Sequence, residues 1–166
     1  LYITFFIPKF EYIKNRLLSF FNTEKGTHNF QSDKALDSIM SGGFFGKGIG
    51  EGTLKNRVPE AHTDYIISVI SEEFGVIAIM LILMLFLIFI FSVLKKVKKE
   101  TDNKIKLILV GASSLILLQA MIHIGVNIRL FPTTGMTLPF LSYGGSSIVS
   151  ISILSGIILN LTKRKV

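Results

Sequence analysis

Apolar positions along this chain fall into blocks too long for an ordinary soluble core. Phe74 to Leu94 is a run of 21 residues without a charge. A hydrocarbon core about 30 Å thick is crossed by roughly 20 helical residues at ~1.5 Å each. The run therefore predicts a membrane-spanning helix, extended back toward Asp64. Two further apolar stretches complete a set of predicted spans over 66–94, 105–128 and 146–162, the last short and rich in Ser and Gly. The chain opens on an apolar-rich segment, Leu1 to Ile7, cut off at Pro8, which reads as the tail of an earlier span over 1–8. The expected fold is all-α: a polytopic membrane helix bundle, the C-terminal part of a single domain over 1–166. It holds three spans plus the tail of a fourth, with a long extracytoplasmic loop over 9–65.

Within that loop the pattern changes. Phe10, Ile13, Leu17 and Phe20–Phe21 recur at helical spacing among Lys9, Glu11, Lys14 and Arg16. They predict a short amphipathic helix, either lying at the membrane interface or packed as an ordinary surface helix. A second short helix is expected to start with Ser32 as N-cap and Asp33 in its first turn. It should bury Ala35, Leu36, Ile39 and Met40 and stop at Gly42–Gly43. Five glycines follow between Gly43 and Gly52, where the backbone is free to take positive φ.

Composition agrees with the membrane reading: 49% of residues are hydrophobic and mean hydropathy is +0.57. The absence of cysteine excludes disulfides and thiolate metal sites. Charge then sets the orientation. Residues 95–106 carry six basic side chains and 163–165 three more, against Glu100 and Asp102, whereas 9–65 holds eight basic and seven acidic residues. Short basic loops stay cytoplasmic, so 95–104 and the C-terminus face inward, while 9–65 and 129–145 face outward. The net charge of +7 thus belongs to membrane flanks and argues against nucleic acid as a partner.

The glycine run is no nucleotide site. Gly42-Gly43-Phe44-Phe45-Gly46-Lys47 is one residue too short for a P-loop, and Gly48 stands where a Ser or Thr would hold Mg²⁺. Gly48, Gly50 and Gly52 follow no strand of a βαβ unit. The octapeptide Val58 to Tyr65 is richer, because it holds ionisable groups at the mouth of a span, where they are expensive to desolvate. With Lys55 and Arg57 just before it, Glu60, His62 and Asp64 form the chemical cluster. His62 and Asp64 alone cannot complete a zinc site, and no His-Glu-x-x-His is present. Asp64 either caps the following helix or, as a poised carboxylate, takes a proton from a hydroxyl nucleophile as general base. Lys55 and Arg57 could counter a diphosphate, the Arg through bidentate contacts.

Gln119, His123 and Asn127 recur at i, i+4, i+8 and make one face of the second complete span polar. They either hold the bundle together by interhelical hydrogen bonds or line a substrate groove. Glu72 and Glu73 should point about 100° apart on a helix and so not share one cavity. In the loop Pro132 to Ser147, the candidates are Ser142, Gly144, Gly145 and Ser146. Gly144–Gly145 before two serines presents N–H groups at a helix start, which suits an anion or a plain cap and turn.

Two stretches together resemble a known family. Pro59-Glu60-Ala61-His62-Thr63-Asp64-Tyr65 with Glu72-Glu73-Phe74-Gly75 looks like the motif before the eighth span of the SEDS proteins (shape, elongation, division and sporulation). Pro132 to Ser147 resembles the motif before their tenth span, and Thr137-Leu138-Pro139 with Ser142 to Ser147 is closer to the division branch than to the rod-elongation branch. His123 departs from an expected Asn, and Arg129 from a usual small residue. The resemblance implies a ten-span plasma-membrane peptidoglycan glycosyltransferase that polymerises lipid II into a growing glycan strand at the outer face. It also implies a class B penicillin-binding protein transpeptidase and other division-complex membrane proteins as partners within the lipid bilayer. The family's essential acidic residue falls on Asp64, and Lys55 lies near a basic position of the same loop. Transport of lipid-linked precursors and a non-catalytic scaffold in the division machinery are the rival readings. No metal-ligand motif is present, which leaves use of a divalent cation open.

Overall fold

The computed structural model describes residues 27–58 and 61–163, together with Leu18 and Phe20. The expected span tail over 1–8 and nearly all of the expected helix from Phe10 to Phe21 lie outside the described residues. Among the described residues the regular structure is all α-helix, with no strand: α1 (Thr27–Gly42), α2 (Leu54–Arg57), α3 (Ile66–Lys99), α4 (Asn103–Asn127) and α5 (Gly145–Lys163). α3, α4 and α5 are each long and apolar enough to cross a membrane. α4 packs against both α3 and α5, and α1 packs along α3.

The interior of the three long helices is aliphatic. Val93, Leu109, Ala112, Ile116, Ile151 and Ile158 form one buried cluster, edged by Phe86 and Phe89. Outside it, α3 exposes Met80, Leu81, Met84, Leu85 and Phe91. A soluble helix would hide such side chains; toward lipid or further spans they cost nothing. The turn between α3 and α4 is held by Asp102, whose carboxylate accepts the Lys104 N–H at 2.8 Å as the α4 N-cap.

α3 is not one continuous helix. Gly75 has φ 79 and ψ −178, so the backbone breaks there. The break would strand carbonyls on one side and N–H groups on the other, and the loop after α1 supplies partners for both. Lys47 N donates to Glu72 O at 2.9 Å and Gly48 N to Glu73 O at 3.1 Å, while Val76 N donates to Gly43 O at 3.0 Å. Two backbones can approach so closely only without side chains. A Cβ on Gly75 would lie 2.1 Å from Phe44 O, and one on Gly46 2.2 Å from Glu73 O. From Gly75 to Lys95 the helix rises about 30 Å, one hydrocarbon thickness. The segment before the break, Ile66–Phe74, then projects beyond the apolar layer.

α1 corrects the sequence expectation at three points. It begins at Thr27, so Ser32 is an interior residue whose hydroxyl meets the Tyr65 hydroxyl at 3.3 Å, not an N-cap. Met40 is exposed, and Leu36 and Ile39 are only half-buried. The buried face is instead made of small residues, Ser32, Ala35, Ser38 and Gly42, which let α1 lie directly on α3. A Cβ on Gly42 would fall 2.0 Å from Ser71 O.

Candidate active site

The octapeptide is anchored by its apolar residues. Leu54, Val58, Ala61 and Tyr65, at spacings of four, three and four, are all buried against Ala35 of α1, Val69 of α3 and Val126 of α4. Burying side chains of this size contributes roughly 1.5–3 kcal/mol each for Leu and Val, enough to seat a segment with little regular structure. With that stripe facing inward, His62 is exposed and Asp64 half-exposed at the surface.

Three successive carbonyls then fix the backbone around Asp64. Tyr143 N donates to His62 O at 3.1 Å, Ser142 Oγ to Thr63 O at 2.7 Å and Asn127 Nδ2 to Asp64 O at 3.0 Å. Asn127 is fully buried, and its Oδ1 also accepts the Ser68 hydroxyl at 2.7 Å and the Ser68 N–H at 3.2 Å in the first turn of α3. His123 Nε2 lies 3.4 Å from Thr63 O, and Gln119 Nε2 donates to Thr137 O at 2.9 Å. The polar face of α4 is therefore spent on holding the loops that carry the two motifs. Each of its three residues binds a backbone carbonyl of one motif or the other.

The Asp64 side chain faces the second motif. Its Oδ2 lies 3.7 Å from where a Cβ on Gly135 would stand, and Gly135 has φ +71. Ser142, a candidate for substrate contact, is buried: its hydroxyl also accepts the Leu138 N–H at 2.8 Å, so it joins the two motifs instead. Gly145 opens α5, with nothing within 4 Å of a Cβ built on it, and Ser146 beside it is exposed. Gly144 is more confined, since a Cβ built on it would lie 3.1 Å from Thr137 Cγ2.

Arg57 sits on a different face. It lines a cleft of about 230 Å³ with Lys34, Asp37, Ser38, Ser41, Lys47, Thr53, Leu54 and Glu72, and Asp64 is not part of that lining. Lys55 lies on the same short helix α2, and Glu60 lies outside the described residues. Lys34 pairs with Asp37 at 3.6 Å and Lys47 with Glu72 at 2.9 Å, whereas Arg57 makes no ion pair among the described residues. Arg129, which stands where the family usually has a small residue, is turned to Asp33 of α1 and forms an ion pair there.

Glu72 is the site residue that charge counting undervalues. It is buried, and besides Lys47 it accepts the Thr53 hydroxyl at 3.1 Å and the Leu54 N–H at 3.0 Å. Glu72 lines the Arg57 cleft and Glu73 does not, as their adjacent positions on a helix predict, yet both side chains approach Gly52. Their carboxylate oxygens would lie 3.2 and 3.3 Å from a Cβ on Gly52, because a loop with no side chain there reaches both. Among the described residues no group of three or more His, Asp or Glu side chains could hold a metal ion.

Long apolar helices, an interrupted span and two loop motifs knitted by buried polar side chains define a multi-pass α-helical membrane protein. Comparison with known proteins takes this further. The cell cycle protein family FtsW/RodA/SpoVE matches residues 1–166, and the chain belongs to that family. The probable peptidoglycan glycosyltransferases FtsW of Enterococcus hirae and Caulobacter vibrioides are each 38% identical, over 95% and 98% of this chain. The same-named protein of Bacillus subtilis is 40% identical over 75% of it. The division-type name agrees with the branch expected from the loop Thr137 to Ser147. A chain from a solved peptidoglycan synthase complex, described as coordinating polymerization and crosslinking, superposes with a TM-score of 0.69 at 25% identity. The match covers 95% of this chain and 42% of that one. This chain spans about two fifths of its curated relatives, 40% and 41% for the first two.

Proposed function

We propose that this chain is the catalytic portion of a division-type peptidoglycan glycosyltransferase that polymerises lipid II at the outer face of the bacterial plasma membrane. The observation that carries the reading is the Asp64 carboxylate set beside Gly135, where the two outward motifs are locked together. In the proposed reaction the 4-hydroxyl oxygen of the acceptor sugar bonds to the anomeric carbon of the lipid-linked donor. The bond from that carbon to the diphosphate breaks, the hydroxyl proton passes to Asp64, and the polyprenyl diphosphate leaves with the electron pair. The N–H groups at Gly144, Gly145 and Ser146 are the candidate partners for its charge beside Asp64, with the exposed His62 in the same loop; Arg57, in its separate cleft, suits a more distant part of the substrate, and Lys55 and Glu60 are candidates on sequence alone. Apolar grooves between spans suit the polyprenyl tails.

A flippase would keep a polar path open across the membrane. Gln119, His123 and Asn127 are instead engaged with loop backbone, which favours the polymerase. Partners on this reading are a class B penicillin-binding protein and other membrane proteins of the division complex, with the C-terminus cytoplasmic. The test is Asp64→Asn in the full-length protein with its transpeptidase. Lipid II polymerisation should fall by about 10²–10⁴, the cost of losing a positioned base, with folding and partner binding unchanged. Polymerisation within threefold of wild type removes Asp64 from the mechanism.

A further inference from the structure

Far from Asp64, at the other end of α3, a cavity of about 470 Å³ opens between α3 and α5. Phe89, Val93, Ile158 and Leu159 wall it, and Lys96 and Lys163 stand at its rim, each in the last turn of its helix. Ser92 and Thr162 add hydroxyls, but these already donate to Ile88 O at 2.8 Å and Ile158 O at 2.7 Å within their own helices. The two ammonium groups are left as the donors toward a ligand. Neither makes an ion pair among the described residues. The acids of the adjoining turn are occupied by backbone: Glu100 Oε1 accepts the Thr101 N–H at 3.1 Å, and Asp102 caps α4.

A cavity with apolar walls below and two cations at its rim matches one kind of molecule. We propose that it binds an anionic phospholipid of the cytoplasmic leaflet, its phosphate between Lys96 and Lys163 and an acyl chain along Phe89, Val93, Ile158 and Leu159. Basic pockets between spans on the cytoplasmic side select such headgroups, and lysine stems reach them while their ammonium groups stay at the interface. A free phosphate would satisfy the lysines and leave the apolar walls in contact with water, so the lipid is the better fit. The height agrees as well: Lys96 lies about 30 Å along the helix from the break at Gly75, at the opposite boundary of the hydrocarbon layer. This site is independent of the polymerase reading.

The test is native mass spectrometry of the full-length protein in detergent, titrated with phosphatidylglycerol or with phosphatidylethanolamine of the same chains. Wild type should retain phosphatidylglycerol preferentially. Lys96→Gln with Lys163→Gln should reduce that retention roughly tenfold or more, the scale set by two lysines near a lipid surface. Lys98→Gln with Lys104→Gln removes equal charge from the same side of the protein but outside the cavity, and should leave retention intact. Thr162→Phe keeps both lysines, fills the cavity and should also abolish the preference. Equal loss in the Lys98/Lys104 control would reduce the effect to general charge and overturn the proposal. So would displacement by inorganic phosphate alone, or no lipid preference in wild type, the result expected if another span of the longer protein fills the cavity.

Discussion

The carboxamide of Asn127 donates to the backbone carbonyl of Asp64 at 3.0 Å, although 63 residues separate them. The same side chain accepts from Ser68, so one buried group in α4 fixes both the position of Asp64 and the start of α3. Asn127→Leu would leave those groups unsatisfied, at about 1–3 kcal/mol each. The expected outcome is a fall in melting temperature together with at least tenfold slower lipid II polymerisation. Asp64→Asn keeps the backbone bond, so it should lose polymerisation alone. Equal melting temperatures for wild type and Asn127→Leu would show that the anchor does not position the site.

Ser142 offers a sharper contrast, since it is adjacent to the site without being open to it. Ser142→Ala deprives the buried Leu138 N–H of its acceptor and Thr63 O of a donor. Destabilisation of about 1–3 kcal/mol should follow. A substrate contact would instead raise KM for lipid II with no change in melting temperature, and that result would restore Ser142 to the binding surface.

Glycine is required at Gly75 for a reason that does not apply at Gly145. Ala at Gly75 meets both a positive φ and a carbonyl oxygen 2.1 Å from its Cβ, so the loop after α1 could not stay seated. The conformational cost alone is about 1–3 kcal/mol, before the clash. Gly75→Ala should therefore express poorly or melt well below wild type, while Gly145→Ala, with open space around it, should melt as wild type does. Similar melting curves for the two variants would contradict the broken-helix geometry.

Orientation can be tested directly because the chain has no cysteine. Single cysteines at Ser41 and Asn103 would be exposed to an impermeant thiol reagent on intact spheroplasts. Position 41 should label and position 103 should not. The reverse pattern would place Asp64 on the cytoplasmic side and end the proposed chemistry.

The three long helices were legible because a charge-free run of membrane length permits few other structures. The site was legible as two motifs, yet its assembly was not. Leu54, Val58, Ala61 and Tyr65 already repeat at helical spacing, but the charged residues among them draw attention away from the buried stripe that does the anchoring. α1 misleads for a related reason: Met40 is larger than Ala35 or Ser38, yet close packing on α3 favours the small face. The convergence of Glu72 and Glu73 on Gly52 depends on a loop path that no local pattern encodes. The carbonyl contacts of Gln119, His123 and Asn127 likewise need the fold, although their i, i+4, i+8 spacing was visible.

An unbroken α-helix is a stiff rod, and a push on its membrane end would swing its outer end through a proportionate arc. The interruption at Gly75 replaces that rod with a joint packed by another stretch of backbone. Tilting of the lower segment by a neighbouring span would act first on the loop from Gly43 to Gly48, and only through it on the segment leading to Asp64. Forces arising in the plane of the membrane would thus reach the carboxylate damped and redirected. The twenty residues of helix beyond the break can then adjust to their neighbours without dragging the site out of register.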